Sequence, residues 1–80
     1  MIRVEVRLYA SLRRYAPRLR LGEAMELDLK DAVTLEQLYA SLNIPAAEVK
    51  RAIVNGIARD HGYALSDGDR VAIFPPVGGG

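Results

Sequence analysis

Both ends of the chain alternate apolar and polar residues with a period of two, and few folds accept a one-sided strand at each terminus of so short a sequence. Near the start, Ile2, Val4, Val6 and Leu8 fall on one face, with Arg3, Glu5, Arg7 and Tyr9 on the other. Near the end, Val71 and Ile73 oppose Arg70, Ala72 and Phe74. That period, with its β-branched residues, predicts two strands that each bury a single face. Pro75-Pro76 halts the second, because proline gives no N–H to a ladder. Two half-buried strands need a cover, and the segment after Val33 supplies it. Thr34 stands three residues before Gln37, a capping-box spacing, and Glu36 sits in the first turn, where the helix dipole favours negative charge. Leu35, Leu38 and Leu42, with Tyr39 beside them, then make one apolar helical stripe. Asn43 and Pro45 end it, and Ala46-Ala47-Glu48-Val49 fits one further turn.

The intervening segments complete the pattern. Met25, Leu27 and Leu29 alternate with Glu26, Asp28 and Lys30, a strand able to pair antiparallel with the first. Ser11 is a candidate cap for a short helical turn through Leu12-Arg13-Arg14-Tyr15, stopped by Pro17. Ala52-Ile53-Val54 reads as a strand, Asn55-Gly56 as a type I′ hairpin turn, and Ile57-Ala58 as the return. Ser66-Asp67-Gly68-Asp69 is a turn cluster leading into the last strand. Strands gathered around one helix imply an α+β fold, a mixed sheet with one main helix packed on one face. With the terminal strands side by side, Val4, Val6, Val71 and Ile73 would form the core against Leu35, Leu38 and Leu42.

Composition narrows the means of stabilisation. An 80-residue chain buries only roughly 60–65% of its unfolded surface, and such domains often add disulfides or a structural metal. This one has no cysteine and a single histidine, His61, so disulfide, zinc-finger and iron–sulfur readings fail and no metal site is expected. The net charge is +1, but residues 1–22 hold six arginines against Glu5 alone. That excess fits solvated charge, a face for an acidic protein partner, or nucleic acid. The last lacks aromatic platforms beyond Tyr9 and Tyr15, so no nucleic-acid partner is expected. The start has no unbroken apolar stretch like that of a signal peptide, and no run approaches a membrane span. A cytoplasmic protein without a membrane partner is the expectation.

No side-chain catalytic set appears, and the glycines fit neither a phosphate loop nor a dinucleotide fingerprint. His61 lies in an apparent loop, Asp67 and Asp69 flank Gly68 as turn formers, and Asp60 has no partner spaced for metal. The chain reads as no enzyme by itself. The remaining feature is Phe74-Pro75-Pro76-Val77-Gly78-Gly79-Gly80. Two prolines stiffen the exit from the strand, and three glycines beyond can enter a channel too narrow for any side chain. On composition such an end is either a frayed terminus or a working tail that presents the Gly80 carboxylate. A carboxylate becomes electrophilic only when activated, for example as a mixed anhydride with AMP.

Asn55-Gly56, Leu65, Asp67-Gly68-Asp69-Arg70-Val71-Ala72-Ile73-Phe74-Pro75-Pro76-Val77 and the glycine end together resemble the ubiquitin-like sulfur carriers, most closely the small subunits of molybdopterin synthase. The likeness extends to the opening strand and Ser11-Leu12-Arg13-Arg14-Tyr15-Ala16. Gly78 departs from the alanine common there and matches thiamine-pathway carriers, whereas Phe74-Pro75-Pro76 is of the molybdopterin kind. The resemblance implies a β-grasp domain over 1–77 with a flexible glycine tail at 78–80. It implies no permanently bound cofactor. An E1-like adenylating enzyme would spend ATP on Gly80, and a sulfur donor protein would convert the adenylate to a thiocarboxylate. The synthase large subunit would then receive the tail, threaded through Gly78 and Gly79, and sulfur would pass to a pyranopterin precursor.

Docking residues follow from the strand faces. Phe74 points away from the helix-covered face and is a candidate anchor in a partner's pocket, with Pro75, Pro76 and Val77 leading into the tail. Arg3 and Arg7 share that open face. The competing assignments are a thiamine-pathway carrier, a ubiquitin-like modifier that joins Gly80 to lysines, and a small basic nucleic-acid-binding domain.

Overall fold

The computed structural model describes residues 1–18, 20 and 22–76. Among the described residues its strands are β1 (Ile2–Leu8), β2 (Met25–Leu29), β3 (Arg51–Val54), β4 (Ile57–Arg59) and β5 (Arg70–Phe74), with one α-helix, α1 (Leu35–Ser41). They form a mixed sheet in the order β2-β1-β5-β3-β4. β1 and β5 are parallel, with Glu5 opposite Arg70 and Leu8 opposite Ile73, and the other pairings are antiparallel. The last strand therefore lies in the middle. This is the β-grasp, ubiquitin-like fold that the resemblance implied, and it agrees with the element order read from the sequence.

Alternation along the strands decides what is buried. Ile2, Val4, Val6, Leu8, Ala52, Val54, Val71 and Ile73 face the helix side and meet Leu35, Leu38 and Tyr39 of α1. Leu42, expected in that core, is only half-buried, because α1 ends at Ser41 and Leu42 already belongs to its C-terminal cap. Ile44 takes the position instead, 2% exposed, after Asn43 turns the chain at φ +61°. Leu12, Val49 and Leu65 close the rest.

Local rules account for the elements. Thr34 and Gln37 form the reciprocal capping box, with Oγ1 accepting from Gln37 N at 3.2 Å and Gln37 Oε1 accepting from Thr34 N at 2.9 Å. The orphan amides of Leu35 and Glu36 donate to Tyr63 O and His61 O, which fastens the 60–65 loop to the helix start. Asn55 and Gly56 have φ of +52° and +84°, as a type I′ turn requires. Ser11 does not cap the Ala10–Tyr15 3-10 turn. Tyr9 is the N-cap, without a side-chain bond, and Ala10 enters at φ +51°. Leu12 N already donates to Tyr9 O, so Ser11 sits inside the turn rather than before it.

Burial of Tyr39, 1% exposed, pushes its phenol up to about 12. Its Oη lies 3.3 Å from His61 Nδ1. A raised phenol pKa means that the folded state prefers the neutral ring. This contribution is intact below the unfolded value of about 10 and is lost as pH climbs towards 12, on the order of 2–3 kcal/mol. Urea unfolding between pH 9.5 and 12 is expected to show this decline, and Tyr39→Phe to flatten most of it. An unchanged slope in the variant would assign the alkaline limb to other groups.

Candidate functional site: the open end of the central strand

The site is built where β5 leaves the sheet. β5 is held on both sides to its last residue, since Tyr9 N donates to Ile73 O at 3.2 Å and Lys50 N donates to Phe74 O at 2.9 Å. Pro75 and Pro76 then follow without donors, so the ladder stops at Phe74 for want of an N–H. Pro75 is half-buried and Pro76 exposed. Val77, Gly78, Gly79 and Gly80 lie outside the described residues.

Phe74 occupies the helix-free face, as the strand alternation predicts. It stacks on Tyr9 with ring centroids 4.6 Å apart and planes at 12°. The cause is register: Leu8 pairs with Ile73, so Tyr9 stands beside Phe74 on the same face. The stack leaves both rings half-buried. Next to it, Lys50, Arg51, Ile53, Phe74 and Pro75 line an open cavity of about 350 Å³. Arg51 is the cross-strand partner of Phe74, and Ile53 that of Ala72.

The two arginines of β1 differ in position. Arg7 pairs with Ala72, two residues before Phe74, and its Nε donates to Gly22 O at 3.2 Å with Glu5 at 3.9 Å. Arg3 lies at the far end of the open face, roughly 20 Å from Tyr9 along an extended strand. Its Nε is 3.0 Å from Asp28 Oδ1, with Glu26 at 3.9 Å, and the guanidinium holds the Asp28 carboxyl below its usual range. The structure thus brings Arg7, Tyr9, Lys50, Arg51 and Ile53 to Phe74, and keeps Arg3 apart.

The aspartates of the turn cluster are structural. Asp69, 6% exposed, accepts from Ser66 N and Asn55 Nδ2, both at 2.8 Å. Asp67 accepts from Arg3 N at 2.8 Å, tying the turn to the start of β1. Arg14 and Tyr15 both bond Glu48, joining the Ala10–Tyr15 turn to a second 3-10 turn at Ala46–Glu48. Among the described residues no group of three His, Asp or Glu side chains could hold a metal ion, and no helix is long and apolar enough to cross a membrane. Sequence reasoning passed over Tyr9, Lys50, Arg51 and Ile53 as site residues. Alternation alone places Tyr9 on the open face, but the others needed the β3–β5 register.

A family model described as the ThiS family matches residues 6–80. No curated protein matches the chain. Among solved structures, SAMP1 of Haloferax volcanii, small archaeal modifier protein 1, superposes with a TM-score of 0.69 at 27% identity, over 98% of this chain and 99% of that one. A Pyrococcus furiosus protein provisionally named molybdopterin converting factor subunit 1 gives 0.71 at 23% identity, over 96% and 100%. The ubiquitin of Caldiarchaeum subterraneum gives 0.59 at 16% identity, over 99% and 98%. The last two likenesses concern the fold.

Proposed function

The chain belongs to the ThiS family, and from that premise we propose that it is a sulfur carrier whose working group is the carboxyl of Gly80. The observation that carries the reading is the exit of the central strand. Phe74 ends a strand clamped on both sides, Pro75 and Pro76 leave it without backbone donors, and Val77 then leads into three glycines. In the first step a Gly80 carboxylate oxygen attacks the α-phosphorus of ATP, and pyrophosphate leaves. A sulfur nucleophile at the oxidation level of sulfide then attacks the acyl carbon and expels AMP, giving the thiocarboxylate. The body holds the tail and presents the open face to an E1-like enzyme and to the subunit that consumes the sulfur. We assign that consumer to molybdopterin synthesis, because Phe74-Pro75-Pro76 is the feature that resembles those carriers; the thiamine route is the alternative that Gly78 keeps open.

Likeness to SAMP1 favours a second reading, in which the same adenylate is attacked by a lysine amine to give an isopeptide. Intact mass of the protein isolated from cells separates them. Replacement of one oxygen by sulfur supports the carrier, and covalent ladders that vanish when Gly79-Gly80 are deleted support the modifier. Neither signal in cells actively making the cofactor would overturn both.

Phe74→Ala tests the open face. Its ring contacts Tyr9 outside the main core, so the variant is expected to fold and to bind a tail-accepting partner more than tenfold more weakly, as loss of an aromatic anchor does. Unfolding with unchanged affinity would assign the ring to stability alone.

A further inference from the structure

The Asn55-Gly56 turn does more than reverse the chain. A type I′ turn asks of its first central residue only a positive φ, which Asn55 has at +52°. Here the Asn55 side chain also reaches across to the residues that open β5. Its Nδ2 donates to Asp69 Oδ1 at 2.8 Å, and its Oδ1 accepts from Arg70 N at 2.9 Å. Its main-chain N donates to Arg70 O at 2.8 Å. Asp69 is 6% exposed, and its other oxygen accepts from Ser66 N. The Asn55 amide is thus locked at both ends, and a buried carboxylate relies on it as a donor.

Asparagine before glycine is also the pair in which the main chain most readily attacks its own side chain. The Gly56 nitrogen gives its proton to a solvent base and bonds to Asn55 Cγ, and the Cγ–Nδ2 bond breaks with loss of ammonia. Water then opens the five-membered imide at one of its two carbonyls, leaving aspartate or its β-linked isomer. The sum is water in and ammonia out, with no change of oxidation level. Gly56 has open space where a Cβ would stand, so no bulk obstructs that attack. The lock does, because bringing Cγ onto Gly56 N takes the amide away from Asp69 and Arg70. We infer that Asn55 is a spontaneous modification site, closed while the β3–β4 turn is locked to β5 and open once it comes away, and that deamidation keeps the turn from locking again. The aspartate product sets a carboxylate against buried Asp69 and removes its donor, and like charges so placed disfavour the locked state. The β-linked product adds an atom to the main chain of a turn that has only two residues between its strands. Both products fall at the start of the central strand, whose far end leads into the tail. A molecule that has opened is marked irreversibly, and the mark hinders its closing. This goes beyond the carrier reading and does not depend on it.

The test follows intact mass and peptide maps of the full chain during incubation at mildly alkaline pH, folded and in urea beyond its unfolding midpoint. Asn55 is expected to deamidate at least about tenfold more slowly in the folded chain, since only opened molecules react. Asn43, the other asparagine, precedes the branched Ile44 and serves as the internal control. Asp69→Ala removes one end of the lock and is expected to speed deamidation several-fold while the molecule stays folded; if that variant unfolds, the urea comparison decides. Asn55→Asp is expected to melt at least about 5 °C below Asn55→Ser, which loses the amide without adding charge. Aspartate tolerates a positive φ better than serine, so a lower midpoint isolates the charge. Equal rates in the folded and unfolded chain, or no deamidation in either, overturn the site. An Asn55→Asp midpoint at or above that of Asn55→Ser overturns its effect on relocking.

Discussion

Removal of Gly79 and Gly80 is expected to lower thiocarboxylate formation at least a thousandfold while leaving the body folded. Two residues span roughly 7 Å when extended. Reacting atoms must meet at about 3–3.5 Å, and a misplacement of about 1 Å already costs on the order of a hundredfold. The shortened chain would still end in a glycine carboxylate, of unchanged intrinsic chemistry, so the loss would come from reach. One added residue after Gly80 should fail equally, since the acyl group is then in the wrong place and carries a side chain. The buried core ends at Ile73, so the thermal midpoint of both variants should match the parent. Exchange kinetics and intact mass report the outcome, and normal thiocarboxylate yield from either variant would remove Gly80 from the mechanism.

Ile73→Ala is expected to have the largest effect on stability. Ile73 is 0% exposed on the central strand, between Leu8 of β1 and Ala52 of β3. Truncation there removes three carbons that have no route to solvent and leaves a void that strands held on both sides cannot close, at about 2–5 kcal/mol. A domain of this size has only about 4–12 kcal/mol in total, and each kcal/mol shifts the midpoint by about 4–8 °C. The variant should therefore melt at least about 10 °C lower, with a fraction unfolded near ambient temperature. Urea titration with an unchanged m-value checks it. A loss below about 1 kcal/mol would mean that the sheet relaxes around the gap.

The legibility of the fold in the sequence varied with the range of the cause. β1, β2, α1 and β5 announce themselves because alternation, capping and helical spacing are properties of neighbouring residues. Asn55-Gly56 was equally plain, since a turn demanding two positive φ values admits few residue pairs. Ser11 misled because serine before an apolar turn looks like a cap, whereas the left-handed Ala10 starts that turn one residue earlier. Leu42 misled because the stripe continues in the sequence past the point where the helix stops. Ile44, Leu12 and Val49 belong to no period of their own and are buried only by tertiary packing.

The candidate site divides in the same way. Phe74 and its face followed from the parity of one strand. Lys50 and Arg51 could not be placed beside it without knowing that β3 runs antiparallel to β5 with Arg51 opposite Phe74. The bonds of Arg14 and Tyr15 to Glu48 join residues more than 30 positions apart and leave no local trace.

The parallel pairing of β1 with β5 also bears on how the molecule is made. Residue 5 meets residue 70, so the hydrophobic interior has no middle until the final strand arrives. Long-range closure of this kind is slow, because loop entropy is lost before any contact compensates for it. On the ribosome, helix and hairpins can flicker early, but the sheet cannot seal until Arg70–Phe74 has cleared the exit tunnel. A nascent fragment that stalls sooner stays open to proteases, and only chains translated through the centre of their own sheet survive to be used.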